Sequence, residues 1–272
     1  MYQTFGEATA HPVWNARVFV AQFLVSRETM LEDEIELFCR QTEAWGLSLG
    51  RDSGETLLEY TAQLGSYREA NVVGTRDLSE LLLEHVLDSL SCLLYEPLGR
   101  ADRVADVGSG GGLPAIPIKI ARPGLDLTLV EATGKKTRFL KQVVDKLSLS
   151  NTKIVNERAE DIGQDRKYRE KYAIVTARAL APLPTLSEYC VPLVRTGGCV
   201  VAMKALPDEK ELEAGRNAAR RLGAELTELM QVSFLPELPA KHRYLVVMAK
   251  TSETPAEYPR RPGVPKKSPL GS

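Results

Sequence analysis

The apolar positions change their period along the chain near residue 100. From Val18 to Tyr95 they recur every three to four residues, in FVAQFL (19–24), ETMLEDEIELFCRQTEAWGL (28–47), ETLLEYTAQLGSYREA (55–70) and SELLLEHVLDSLSCLLY (79–95). That spacing lines one face of successive helices. In the last of them Leu81, Leu82, His85, Leu87 and Leu90 share a wide face, and Asp77 or Ser79 stands where a helix start needs its free amides capped.

From Arg103 onward short apolar runs alternate with amphipathic stretches. RVADVG, LDLTLVEA, TKIVNERAED, YAIVTARAL and GGCVVAMKA read as strands. LPAIPIKIA, KKTRFLKQVVDKLSL, PTLSEYCVPLV and DEKELEAGRNAARRLGAE read as the helices between them. ELMQVSFLPELPAKHRYLVVMAK (228–250) reads as two strands joined by a Pro-rich turn. The alternation predicts a parallel sheet covered on both faces and closed by an antiparallel hairpin, an α/β, Rossmann-like, seven-stranded sheet. The expected organisation is a helical segment over 1–100, the sheet domain over 101–254 and a Pro-rich basic tail over 255–272. TPAEYPRRPGVPKKSPLGS is too rich in proline for regular structure and reads as an extended segment.

Between the first strand and its helix, RVADVGSGGGLPAIPI (103–118) packs four glycines into five positions. A glycine turn at that place is where an open α/β sheet binds ligands, because it lets backbone amides approach them. A dinucleotide fingerprint fits poorly from Gly108, since its last position falls on Leu113, and fits from Gly110 only in the looser form ending on Ala115. Asp106 sharpens the choice. The spacing Asp106, Gly108, Gly110, Gly112 resembles the first motif of S-adenosylmethionine-dependent methyltransferases. An acid beside the loop suits a ligand with an ammonium and a sulfonium better than it suits a pyrophosphate. The next strand ends at Glu131, where a carboxylate can take both ribose hydroxyls. The strand after it ends in NERAED, where the Ala159 amide and Glu160 can address adenine.

Composition removes several alternatives. The 272 residues carry a net charge of −1, so nucleic acid would have to meet a local basic patch. Four scattered cysteines and three histidines (His11, His85, His242) fit buried reduced thiols and argue against a metal site. The first residues lack the basic-then-apolar pattern of a signal peptide, and no apolar stretch is long enough to span a membrane. A cytoplasmic protein without membrane association is expected, and nothing implies an obligate partner chain, so a monomer is expected.

The acceptor is narrowed by what is missing. The place where amino-methylating enzymes carry N/D-P-P-Y/F reads TARALAPLP, and Cys190 and Cys199 fall within scaffold elements rather than where a nucleophile is needed. An acceptor that is already nucleophilic remains, such as guanine N7 or a small molecule. Basic residues cluster at Lys135, Arg138, Lys141 and Lys146, and again at Arg260, Arg261, Lys266 and Lys267 in the tail. Backbone phosphates of RNA are natural partners for such segments. A ribosome-assembly factor with a vestigial pocket is the reading from another class.

Taken together, EHVLDSL (84–90), DVGSGGGLPAIPIKIARP (106–123), LVEATGKKTRFLKQV (129–143) and ERAED (157–161) resemble the RsmG (GidB) family. TARALAPL (176–183), GGCVVAMK (197–204), HRYLVV (242–247) and YPRRPGVPKKSPL (258–270) extend the likeness to about residues 55–270. These are bacterial methyltransferases of the small-subunit ribosomal RNA. The resemblance implies a class I methyltransferase sheet, S-adenosylmethionine as cofactor and S-adenosylhomocysteine as product. Its implied target is N7 of guanine 527 in the 530 loop of 16S rRNA, in the 30S subunit or its precursor. Matching motifs imply cofactor contacts at Gly108, Leu113, Glu131, Ala132, Thr133, Ala159 and Glu160. They also imply that Arg178 faces cofactor and acceptor, where it can pair with a carboxylate or a phosphate. Lys204 is a further candidate for RNA, and His85 a weaker one for the site. The sequence departs from the family pattern at Pro114-Ala115, in place of Pro-Gly, and at Ser66-Tyr67, in place of Trp-Asn ahead of Asn71-Val72-Val73.

Overall fold

The computed structural model describes residues 28–239 and 242–271. The FVAQFL stretch, His11 and Ser272 lie outside the described residues. Among the described residues, four helical stretches precede the sheet: α1 (Glu28–Ala44), α2 (Arg51–Ser66), the continuous run α3 (Leu78–Leu94) and α4 (Glu96–Arg100). Asp77 caps α3, its carboxylate accepting from the Glu80 amide at 2.9 Å, as the sequence suggested. The run is not uniform. It widens to a π-helix over Leu81–Val86, returns to α over Leu87–Leu90 and tightens to 3₁₀ over Ser91–Leu94.

The alternating region follows as β1 (Arg103–Val107), α5 (Ala115–Ala121), β2 (Asp126–Val130), α6 (Gly134–Lys146) and β3 (Thr152–Val155). Then come α7 (Ala159–Gln164), β4 (Tyr172–Arg178), α8 (Leu183–Cys190), β5 (Val194–Lys204), α9 (Glu209–Arg221), β6 (Ala224–Val232) and β7 (Arg243–Lys250). The seven strands lie in the order β3-β2-β1-β4-β5-β7-β6. β7 runs antiparallel to both neighbours, and the remaining pairs are parallel. This is the expected seven-stranded α/β sheet with its closing hairpin. Boundaries differ in places: β3 stops at Val155 and the ERAED segment turns into α7 instead of prolonging the strand, while β6 starts at Ala224, inside the stretch read as the end of a helix.

Alternation along each strand feeds two cores. Val104, Ile174, Val201 and Leu245 face one way and pack with Phe38, Leu57, Leu64, Leu82, Leu90, Ile116 and Phe139, so α1–α3, α5 and α6 share that layer. Ala105, Val175, Val200 and Val246 face the other way, against Ile162, Leu186, Ala218 and Leu222 of the α7–α9 side. The N-terminal helices are thus built into the first hydrophobic layer alongside the sheet. Chain order reverses between β1 and β4, which opens the crevice where sheets of this kind hold ligands.

The tail departs most from its sequence reading. It is seated on the second layer, with Thr254, Pro259, Pro265 and Leu270 buried and a short helix α10 at Val264–Lys267. Its anchor is Arg260, whose Nε and Nη2 meet the two oxygens of Glu188 at 2.9 and 2.6 Å, while its backbone amide donates to Glu188 Oε1 at 2.8 Å. The Glu188 side chain is fully buried in α8. A carboxylate there is tolerable only when paired and hydrogen-bonded. Removing the partner by Arg260→Ala is expected to cost about 3–5 kcal/mol. Chemical denaturation measures this, and a loss well below 1 kcal/mol would contradict the ion pair's structural role.

Candidate functional site

The site starts from the end of β1. Asp106 is 1% exposed, with its Oδ1 accepting from Thr176 Oγ1 of β4 at 2.7 Å. Its Oδ2 is buried and has no hydrogen-bond partner. Burial pushes the carboxyl up to about 7, against the opposing hydrogen bonds of Thr176 and Ser109 and with a smaller push from the charge of Glu131. A lone buried carboxylate oxygen at a crevice is an incomplete arrangement, and a ligand cation would complete it.

Directly above, the chain makes a turn that only glycine accommodates without strain. Gly108, Gly110 and Gly112 have φ of +73°, +55° and +91°. The amides of Gly108 and Ser109 both donate to Val130 O of β2, at 2.9 and 3.0 Å, which folds the loop over the β1–β2 edge. The N-terminal helices press on it from the other side: Tyr60 Oη of α2 donates to Gly111 O at 2.6 Å. A Cβ on Gly111 would stand 2.9 Å from the Val72 carbonyl. Leu113 packs partly buried against the first core.

Glu131, past the end of β2, is tied into the same turn. Its Oε2 accepts from the Gly110 amide at 3.0 Å and its Oε1 from the Thr133 amide at 2.7 Å. Each carboxylate oxygen keeps a second lone pair for a ligand hydroxyl. Ala132 and Thr133 are exposed just beyond it. Asp106, the three glycines, Leu113, Glu131, Ala132 and Thr133 therefore gather around one crevice. Thr176, Tyr60 and Val72 belong to the same construction and were not singled out from the sequence. Only the register of β1 against β4, and the fold of α2 onto the loop, bring them there.

Other residues sit differently from expectation. Ala159 is half-buried at the start of α7, whereas the Glu160 carboxylate is buried and its Oε1 accepts from the Gly263 amide of the tail at 2.9 Å. Arg178 at the end of β4 was expected to face a ligand anion, but its guanidinium is committed to the protein. Nη1 donates to His85 O at 3.0 Å and Ser89 Oγ at 3.2 Å, and Nη2 to Glu84 O at 3.2 Å. Nη2 also lies 2.8 Å from His85 Nδ1 and 3.3 Å from Asp88 Oδ2. Since the guanidinium cannot accept, His85 Nδ1 is the acceptor and carries no proton. Asp88, fully buried, is held further by Arg243 through Nε–Oδ1 and Nη2–Oδ2 contacts of 2.8 Å each. The widened turn of α3 supplies the carbonyls for this clamp, a common use of π segments near functional sites.

Among the basic candidates, Lys135, Arg261, Lys266 and Lys267 are exposed, and Arg138 is exposed with a long 3.7 Å contact to Glu69. Two expectations are corrected. Arg260 is the buried-pair partner of Glu188, and Lys204 meets Glu211 at 2.6 Å, so neither cation is left for phosphate. Cys190 and Cys199 are buried scaffold thiols raised by burial, unsuited to act as thiolates. Among the described residues no cluster of histidine, cysteine and acidic side chains suits a metal, and no helix is long and apolar enough to cross a membrane.

The chain is similar to known proteins along most of its length. Residues 54–237 match the family model described as rRNA small subunit methyltransferase G, GidB. A ribosomal RNA small subunit methyltransferase G of Rubrobacter xylanophilus is 51% identical over 236 residues, covering 86% of this chain and 90% of that protein. One from Bacillus subtilis is 39% identical over 237 residues, 87% of this chain and 98% of that one. Among solved structures, the S-adenosylmethionine-dependent methyltransferase SibL in its apo form aligns with a TM-score of 0.49 at 16% identity, covering 74% of each chain.

Because the folded pKa of Asp106 is raised, its contribution to stability is present below the unfolded carboxyl value and is lost as pH rises through about 7. Asp106→Asn should therefore melt a few degrees above the wild type at pH 8, with the gap closing toward pH 4. Thermal melts across that range test this, and a pH-independent difference would contradict the burial argument.

Proposed function

Because the chain belongs to the rRNA small subunit methyltransferase G family, we propose that it transfers the methyl group of S-adenosylmethionine to N7 of guanine 527 in 16S rRNA. The observation that carries the cofactor assignment is the partnerless Asp106 oxygen beside a turn of three left-handed glycines. That set fits the group: a buried acid for an ammonium, a turn without side chains for close approach, and a carboxylate with spare lone pairs for a ribose.

In this reading Asp106 receives the ammonium, with Thr176 holding its other oxygen so that the free one stays in place. Gly108, Gly110 and Gly112 let the backbone approach, and Leu113 closes the loop side. Glu131 accepts the ribose hydroxyls while the Gly110 and Thr133 amides fix its orientation, and Ala132 and Thr133 flank the sugar. Ala159 and Glu160 form the adenine side. S-adenosylmethionine, when bound, supplies an electrophilic methyl group on a sulfonium. Guanine N7 offers a lone pair and no proton, so the chain is not asked for a general base. Its work is to align the acceptor, exclude water and tolerate the cationic product. Arg178, clamped by Asp88 and the α3 carbonyls, borders the acceptor side as a rigid wall rather than a mobile arm.

RNA would be met by phosphate contacts from Lys135, Arg138, Arg261, Lys266 and Lys267, their exposure supporting that role. The partner would then be the 30S subunit or its precursor, in the cytoplasm.

Unmethylated 30S subunits or naked 16S rRNA incubated with labelled cofactor should gain one methyl group. Borohydride reduction and aniline cleavage should then cut at guanine 527. No incorporation into either substrate, with cofactor binding confirmed, would sink the reading. Asp106→Asn should weaken S-adenosylhomocysteine binding about 10- to 100-fold by calorimetry, from loss of a buried charge-assisted contact. The triple variant Arg261→Ala, Lys266→Ala, Lys267→Ala should keep cofactor affinity, bind RNA more weakly and flatten the dependence of log K on log salt by about 2.

A further inference from the structure

The tail does more than present cations, because its buried side grips the short helix that borders the adenine side of the pocket. α7 has only six residues, too few to hold a position except through tertiary contacts. The tail supplies many of them. At the first turn the Gly263 amide donates to Glu160 Oε1 at 2.9 Å, from a left-handed turn with φ +84°. Further along, Pro259 packs so closely on Gly163 that a Cβ there would stand 2.6 Å from its ring. Gln164 Nε2 donates to Pro259 O at 2.9 Å and to Ala256 O at 3.2 Å. Below α7, Arg169 Nη1 bridges Gly163 O and Tyr258 O at 2.8 and 2.6 Å. Across the groove, α8 holds the same segment through Glu188–Arg260 and through Thr185 Oγ1, which donates to Pro265 O at 3.1 Å. The tail is a wedge between α7 and α8, locked by one buried ion pair.

We propose that residues 258–265 are a positioning element of the cofactor pocket: by seating α7 and fixing the Glu160 carboxylate, they set where the adenine ring docks. The inference rests on the cofactor assignment above and concerns residues beyond the 54–237 matched by the family model. Arg260 and Gly263 touch no ligand in this account. They act through Glu160 and the α7 backbone.

Calorimetry on the full chain with S-adenosylhomocysteine and with 5′-methylthioadenosine tests it, since the second ligand keeps the adenine and lacks the amino-acid end. Arg260→Met should weaken both ligands by the same factor, about tenfold. The paired change Arg260→Met with Glu188→Met removes the stranded carboxylate and should restore both affinities. Gly263→Val, which moves the amide without touching the ion pair, should give the same equal loss and serves if Arg260→Met does not fold. Phe38→Ala, a core truncation in the other hydrophobic layer, should lower the melting temperature and leave both affinities unchanged. Wild-type affinity in Gly263→Val, or a loss confined to S-adenosylhomocysteine, would overturn the proposal. Failure of the wild type to bind either ligand would overturn the cofactor assignment as well.

Discussion

Asp106 sits in the sheet with one oxygen bonded to Thr176 and the other bonded to nothing, and the surrounding structure is organised around keeping it there. A carboxylate at that depth resists ionisation. The protein tolerates it because the strand order reverses between β1 and β4, leaving a crevice above their carboxyl ends. The glycine turn follows from the same geometry, since the chain must leave β1 sharply while keeping side chains away from the crevice. Glu131 then stitches the turn to β2. Fold and site share one constraint: stability is given up at one carboxylate left half-satisfied beside the crevice.

The helices before the sheet are part of that construction. Tyr60 reaches Gly111, Val72 abuts it, and Tyr67 Oη donates to Lys135 O at 3.1 Å where α6 begins. Tyr67 also packs against Phe139 of α6, with ring centroids 4.7 Å apart and planes tilted by 51°. The residue that breaks the family's Trp-Asn pattern is therefore an aromatic peg joining the α2–α3 connection to the sheet domain. Asp88 makes a second joint, binding α3 to β4 and β7 through two arginines. Such joints hold a binding crevice more rigidly than loops would.

Much of this was legible in the residues. The change of period near residue 100 and a helix cap at Asp77 or Ser79 depend on near neighbours, and the structure has both, with the cap on Asp77. Glu131 was legible because strand ends in such a sheet converge on one edge. Arg260 shows the limit. Its neighbours Tyr258, Pro259, Arg261 and Pro262 describe an extended basic segment, and nothing local reveals that Glu188, 72 residues earlier, is buried and waiting for it. Arg178 misled for the same reason, since its partners lie on α3 some 90 positions upstream, at a separation of 93 for the His85 carbonyl. Long-range pairing of charges is invisible to pattern. Local composition marked both arginines as candidates but could not show the partners the fold gives them.

The Glu188–Arg260 pair also bears on how the protein is made. Synthesis delivers α8 well before Arg260, so during that interval the helix cannot dock without stranding a carboxylate in the second hydrophobic layer. Closure of the second hydrophobic layer over α8 thus depends on a residue 72 positions further along the chain. A chain without Arg260 would leave the Glu188 carboxylate inside that layer with no cation to meet it.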